Sequence, residues 1–255
     1  MGKLAGIIFL FIFSSGVSAQ KLEDIKWITE EYPPYNYATN QVADGLAVEL
    51  LVEMWKRVGL TRTKKDIKIL PWTRGVRAIK NEPGVSLFSA TLTAERTEDF
   101  GWKFVFPIPQ ISDLSNHHLL ARKGQNIKFE SLEQLQAYGQ KFGVVRNDVG
   151  GDLLRDAGVS ERAMDPSPDA DTLIKKLGRG RIEVISYGLA TAQTKMREQG
   201  LNPDDYEVVF TFPRKPMGYA FHRDTDPHLL RQLQDALNTL IADGTAEKIR
   251  LKYAK

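Results

Sequence analysis

The chain contains no cysteine. That excludes disulfides, thiolate metal ligands and cysteine nucleophiles, and it also removes the residue to which an exported lipoprotein attaches its lipid. Beyond the first nineteen residues no stretch approaches the roughly 20 apolar residues that a transmembrane helix needs. Charge of one sign is scarce as well, with 35 Lys and Arg against 32 Asp and Glu. The formal excess of +3 is too small to argue for nucleic acid or an anionic membrane as partner. There is no low-complexity tract or tandem repeat, no Walker sequence and no Gly-x-Ser-x-Gly elbow. Gly178-Arg179-Gly180 lacks the third glycine and the preceding strand of a dinucleotide fingerprint. His117, His118, His222 and His228 have no carboxylate or thiol neighbours at ligand spacing, so neither a metal nor a cofactor is expected.

What is present begins with a leader. Lys3 supplies a positive start, Leu4 to Phe13 an apolar core too short to span a bilayer, and Val17-Ser18-Ala19 a small-residue cleavage site. This predicts a cleavable signal peptide over residues 1–19, a mature start at Gln20, and a soluble monomer free in a Gram-negative periplasm. The remaining chain is long enough for one large domain or two small ones.

Strands and helices alternate along it. Lys26-Trp27-Ile28-Thr29 reads as a strand that runs into Glu30-Glu31-Tyr32-Pro33-Pro34-Tyr35-Asn36-Tyr37, a rigid loop displaying three tyrosines. Leu46, Leu50, Leu51, Met54, Trp55 and Val58 repeat at helical spacing between Gly45 and Gly59. Asp66 to Leu70 is a second strand, Pro71-Trp72 opens a second helix, and the run through Val85, Leu87 and Phe88 is a third, buried strand. Lys103 to Ile111, with Pro107 and Pro109, is predicted to be extended but outside any sheet.

The same grammar then repeats. Strands are predicted at Asn116–Ala121, Phe142–Arg146, Ile182–Ser186 and Tyr206–Phe210. Between them lie helices from Ser131 to Tyr138 with a Ser131/Gln134 capping box, after Asn147-Asp148-Val149-Gly150-Gly151-Asp152, over Asp171–Leu177, and over Gly188–Gln199. Phe212 to Gly218 reads as a second crossing segment. Gly218–His222 is a last strand, and a helix starting at Asp226-Pro227 buries Leu229, Leu230, Leu233, Ala236, Leu237, Leu240 and Ile241. The class is therefore α/β.

Ser89-Ala90-Thr91-Leu92-Thr93-Ala94-Glu95-Arg96 stands at the end of the third strand, where open α/β sheets place their ligands. Arg96 carries a planar fork of donors suited to a carboxylate, and Ser89 and Thr91 can add short neutral hydrogen bonds. In isolation the same residues would equally serve as capping hydroxyls and solvated charges opening a helix.

Tyr32-Pro33-Pro34-Tyr35, Asp44-Gly45, Pro71-Trp72-Thr73-Arg74, Thr91 to Arg96, and the closing Asp243-Gly244-Thr245-Ala246-Glu247-Lys248 follow one another in an order that resembles bacterial extracellular solute-binding proteins of family 3, the polar amino-acid type. The resemblance implies a periplasmic binding protein type II fold: two α/β lobes joined by two crossing segments, with the solute between them. Lobe one would be residues 20–112 plus 217–255, and lobe two 113–216. It implies a small-molecule ligand with a carboxylate and delivery to an inner-membrane ABC permease or a sensor. Residue by residue, it gives Arg96 to the ligand carboxylate, Ser89 and Thr91 to supporting contacts, Tyr32 and Trp72 to sandwiching the ligand side chain, and Asn147 and Asp148 to the turn that meets the ligand from lobe two.

One departure stands out. Where amino-acid-binding members place an aspartate for the ligand ammonium, this chain has Tyr187. Glu30, Glu31 or Asp148 then supplies the missing charge, or the ligand is not an ordinary α-amino acid. An enzyme on the same scaffold, similar to periplasmic cyclohexadienyl dehydratases, is the alternative, with Glu31 as the acid available to it.

Overall fold

The computed structural model of the chain describes residues 20–111 and 116–254. The predicted leader and the predicted 112/113 lobe boundary lie outside the described residues. In chain order the first half runs β1 (Lys26–Thr29), β2 (Tyr37–Thr39), β3 (Val42–Asp44), α1 (Leu46–Arg57), β4 (Ile67–Ile69), α2 (Trp72–Asn81), β5 (Val85–Thr91) and β6 (Lys103–Val105). The second half runs β7 (His117–Arg122), α3 (Leu132–Gln136), β8 (Phe142–Val145), α4 (Val149–Asp156), β9 (Met164–Ser167), α5 (Ala170–Gly178), β10 (Val184–Gly188), α6 (Leu189–Glu198) and β11 (Tyr206–Thr211). The chain then returns through β12 (Met217–Phe221) to α7 (Pro227–Ala242) and α8 (Thr245–Tyr253).

Ten of these strands build two five-stranded sheets, ordered β4-β1-β5-β12-β6 and β11-β7-β10-β8-β9, and β2 pairs with β3 in a separate hairpin. β1 lies parallel to both β4 and β5, while β12 comes back antiparallel to β5 and β6. β5 is buried on both faces from Val85 to Ala90, so its apolar Val85, Leu87, Phe88 and Ala90 do not alternate with exposed polar residues, and the serines between them are small enough to be buried as well. Trp27 on β1 meets Trp55 of α1 and Phe221 of β12 edge-on at 5.5 and 5.6 Å, which ties sheet to helix in the first lobe. In the second lobe Phe142 packs on Tyr138 and Phe129 at 5.0 and 5.9 Å. Two peptide crossings link the lobes and are bonded to each other, Gln110 Nε2 donating to the Lys215 carbonyl at 3.1 Å.

Several local expectations are corrected. Lys103–Val105 does sit in a sheet; it is the edge strand β6, and only the proline-bearing part beyond it leaves the ladder. The β2–β3 hairpin is not anticipated, because each strand is only three residues long. β9 contains Pro166 and is tolerated because it, too, is an edge strand. α3 ends at Gln136, short of Tyr138, and its Gln134 side chain accepts from the Glu130 backbone N–H rather than from that of Ser131. Ile241 of α7 is exposed, not buried.

Gly45 joins the hairpin to α1 at φ 119, and a Cβ there would lie 2.5 Å from the Tyr35 carbonyl oxygen. Both the backbone conformation and the space require glycine. Gly45→Ala is expected to cost about 3 kcal/mol or more, which for a chain of this size lowers the Tm by on the order of 10 °C in a calorimetric scan.

Candidate functional site

The C-terminal ends of β1, β5, β8 and β10 converge on one crevice between the lobes, and the site is built where they stop. The pairing of β5 with β12 slips between Gly218 and Tyr219, which leaves Ser89 as a bulged residue at φ 59. Its hydroxyl donates to the Asn36 side-chain oxygen, and Asn36 Nδ2 donates to the Glu30 carbonyl at 2.6 Å. The bulge thereby locks the exit of β1 and the tyrosine loop against β5.

Beyond Thr91 the chain makes a single π-helical turn, Glu95–Asp99, of the kind often found at functional sites. The turn folds Arg96 back on its own strand, so that Nη1 donates to the Thr91 carbonyl at 2.9 Å. Arg96 is only 2% exposed. Its guanidinium carbon lies 5.1 Å from the Trp72 ring and 5.7 Å from the Trp102 ring, within cation–π range of both. Nη2 is buried without a hydrogen-bond partner. An unanswered charged donor in such a place is expensive and marks where an acceptor belongs.

Lobe two faces this group with α4. Asn147 adopts φ 59 and turns the chain from β8 into the helix. Asp148 stands at the N-cap position, yet its side chain accepts no capping hydrogen bond. Its carboxylate lies 4.0 Å from Arg96 Nη2 and 3.8 Å from His117 Nε2. One turn later Asp152 lies 3.9 Å from Arg96 Nε and contacts Arg155, which also reaches across to Glu95 at 2.8 Å. The lobes are closed on one another. Trp72 Nε1 donates to the Asn147 carbonyl at 2.7 Å, Thr191 donates to the Pro33 carbonyl at 2.8 Å, and the Tyr32 and Tyr187 rings meet edge-on at 6.0 Å.

The electrostatics follow from this crowding. Burial, with Asp148 nearby, pushes the Glu30 carboxyl well above the ordinary range, against the pull of Arg96 and Lys195. Burial would raise Asp148 too, but His117 and Arg96 outweigh it and hold that carboxyl low. Burial and the Glu95 carboxyl beside it push Asp152 up to about 7, in spite of Arg96 and Arg155. Since the folded-state value of Asp152 exceeds the ordinary one, the folded chain binds this proton more tightly than the unfolded chain, and stability falls as pH rises from about 4 to 7. Asp152→Asn is expected to flatten that fall, which runs at up to about 1.4 kcal/mol for each pH unit in this window, when urea unfolding is compared at pH 5 and pH 7.5.

Of the residues singled out in the sequence, Tyr32, Trp72, Arg96, Asp148 and Tyr187 come together in the crevice and are buried. Thr91 contributes its carbonyl to Arg96, and Asn147 contributes its carbonyl to Trp72 while its side chain is exposed. The Ser89 hydroxyl is committed to Asn36. Glu31 accepts from the Ala38 backbone N–H at 3.0 Å and thus staples the hairpin, which leaves Glu30 as the acid of that pair nearer Arg96 and Asp148. Asp152 and His117 belong to the cluster without having been singled out. The spacing of four between Asp148 and Asp152, which puts both on one face of α4, is the signal that could have found the first.

A family model described as bacterial extracellular solute-binding proteins, family 3, matches residues 25–255. The chain belongs to that family. No curated protein matches it closely enough to count as a relative. Among solved structures, it is similar to a histidine kinase sensor domain with similarity to periplasmic binding proteins, at 20% identity and TM-score 0.72 over 90% of this chain and 95% of that one. It is similar to an ancestral arginine-binding protein bound to arginine, at 21% identity and TM-score 0.71 over 91% and 99%. A third is the arginine-, lysine-, histidine-binding protein ArtJ from Geobacillus stearothermophilus, at 18% identity and TM-score 0.72 over 89% and 94%. The two-lobed α/β fold of the periplasmic binding proteins is thus common to this family 3 chain and to all three. Among the described residues no helix is long and apolar enough to cross a membrane, and no group of side chains is arranged to hold a metal.

Proposed function

We propose that this family 3 protein is a monomeric, non-catalytic periplasmic receptor that closes its two lobes around a small polar solute bearing a carboxylate, an amino acid or close relative, and delivers it to an ABC permease. The observation that carries the reading is Arg96. It is a buried guanidinium, flanked by two indole rings, with one nitrogen that makes no hydrogen bond and has the Asp148 carboxylate 4.0 Å away. A carboxylate is the complementary group, and a charge-assisted pair in this setting is stronger than a neutral hydrogen bond. Tyr32, Trp72 and Tyr187 supply aromatic walls for the body of the solute. Asp148 sets a condition: its carboxylate already stands beside Arg96, so an incoming carboxylate has to displace it from the guanidinium.

The test is a thermal-shift screen of amino acids and dicarboxylates, repeated for each hit with the α-carboxyl converted to a primary amide. The acids are expected to raise the Tm and the amides to lose most of the shift; equal shifts from acids and amides would reject the reading. The bound solute should also be recovered unchanged by NMR. Likeness to a histidine kinase sensor domain supports a second reading, in which the loaded receptor signals rather than transports. Deleting the gene and measuring uptake of the identified solute separates the two, since only the transport role predicts loss of uptake.

A further inference from the structure

Three side chains from the start and one face of α4 are spent on the other lobe. Asp148, Asp152 and Arg155 follow one another at spacings of four and three, which lines them up along the helix. Opposite them the π-helical turn of lobe one presents Glu95 and Arg96. The signs match: both aspartates stand beside Arg96, at 4.0 and 3.9 Å, and Arg155 bonds Glu95 at 2.8 Å.

The two halves of this contact differ in kind. Arg155 and Glu95 are half-exposed, and such a pair contributes little by itself. Arg96 and the two aspartates are buried together, where opposite charges attract more strongly. Yet neither aspartate is within hydrogen-bond distance of the guanidinium, and Nη2 makes no hydrogen bond. The charge of Arg96 is answered while its bonding is not. A solute carboxylate that reaches Nη2 at bonding distance gains the interaction that the aspartates leave unmade.

Both aspartates also have somewhere to go. His117 Nε2 lies 3.8 Å from the other oxygen of Asp148 and makes no hydrogen bond of its own, and Asp152 already contacts Arg155. Arg96, Asp148, Asp152 and Arg155 all line one cavity of about 350 Å³, so the carboxylates can turn away without repacking the lobe. Asp148 is the stronger partner of Arg96. Burial pushes Asp152 up to about 7, whereas at Asp148 burial is outweighed by His117 and Arg96, which keeps that carboxyl ionised near neutral pH.

We propose that Asp148 and Asp152 form a built-in plug: carried by α4, they occupy the Arg96 site from the second lobe, hold the lobes together through it, and are displaced by the carboxylate of the solute. The plug rests on the Arg96 reading and makes Asp148 a competitor of the solute rather than a contact to it. Affinity is thereby reduced, since only the molecules whose plug is withdrawn accept a solute. Neutral solutes bring nothing to replace the aspartates at Arg96, so the plug also restricts the site to solutes that carry an anion.

Two measurements test it. The chain has no cysteine, so Arg77→Cys on α2 and Lys175→Cys on α5, both exposed positions, place one spin label on each lobe. In ligand-free protein, electron–electron double resonance is expected to give a short inter-lobe distance in this background and a longer, broader one once Asp148→Asn is added. Asp152→Asn is expected to act in the same direction to a smaller extent, and it serves if Asp148→Asn does not fold. Titration calorimetry of the unlabelled proteins with L-arginine, L-glutamine and L-glutamate is expected to show any probe that binds held at least about fivefold more tightly by Asp148→Asn than by wild type. A merely structural or ligand-contacting Asp148 would not tighten binding. Unchanged inter-lobe distances in both variants overturn the plug, and the distances decide the case if no probe binds. Equal or weaker affinity in Asp148→Asn also overturns it, and leaves the Arg96 reading standing where Arg96→Ala abolishes binding of the same probe. Affinity unchanged in both Asp148→Asn and Arg96→Ala overturns the plug and the Arg96 reading together.

Discussion

Arg96→Ala is expected to weaken binding of a carboxylate-bearing solute by at least about a hundredfold in titration calorimetry, roughly 3 kcal/mol. Two losses add. The solute's carboxylate forfeits its charge-assisted partner, and Asp148 and Asp152, which now share Arg96 at 4.0 and 3.9 Å, are left facing the same space without the cation between them, with only His117 and Arg155 at their outer sides. An incoming anion then meets two carboxylates where it had met a guanidinium. Arg96→Lys is expected to restore little, because an ammonium lacks the planar fork that lies between Trp72 and Trp102 and cannot hold the Thr91 carbonyl and a ligand oxygen together in this geometry. Circular dichroism should show both variants folded. Affinity within about threefold of wild type would remove Arg96 from the ligand's contacts.

Gly188→Ala is the second large effect, and it acts on closure rather than on folding. Gly188 ends β10 in the second lobe with φ −68 and ψ 126, a conformation that alanine adopts without strain. A Cβ there, however, would press into the hydroxyl of Tyr32, which comes from the first lobe. Overpacking of this sort costs about 1–3 kcal/mol, and the cost falls on the closed state because the contact exists only when the lobes meet. Solute affinity is expected to drop by about five- to a hundredfold, with a larger radius of gyration in solution scattering at the same solute concentration. Gly139→Ala, where a Cβ meets nothing within 4 Å, is the control and should behave as wild type.

Much of the fold was legible because its long elements carry their own signals. The helical spacing of Leu46, Leu50, Leu51, Met54 and Trp55, the apolar Val85, Leu87 and Phe88 of β5, and Asp226-Pro227 ahead of α7 each point to one structure. What the sequence concealed was decided by pairing partners. Lys103–Val105 is a strand only because β12 returns from residue 217 to pair with it, and Met164–Ser167 tolerates Pro166 only because no strand lies beyond it. The site divides the same way. Arg96, Tyr32 and Trp72 stood out through the order of motifs, whereas the contrast between Glu30 and Glu31 did not. Adjacent and chemically alike, they part because Glu31 turns to the hairpin backbone and Glu30 toward the closed crevice. Ser89 shows the converse: a hydroxyl in the right place by sequence is spent on the bulge that shapes the strand end.

The most direct test of the account is native mass spectrometry of the protein isolated under non-denaturing conditions from its own cell envelope. A one-to-one adduct with a small molecule that carries a carboxylate is expected, and loss of that adduct in Arg96→Ala prepared in the same way. An adduct without a carboxylate, or one retained at the same occupancy by Arg96→Ala, would contradict it.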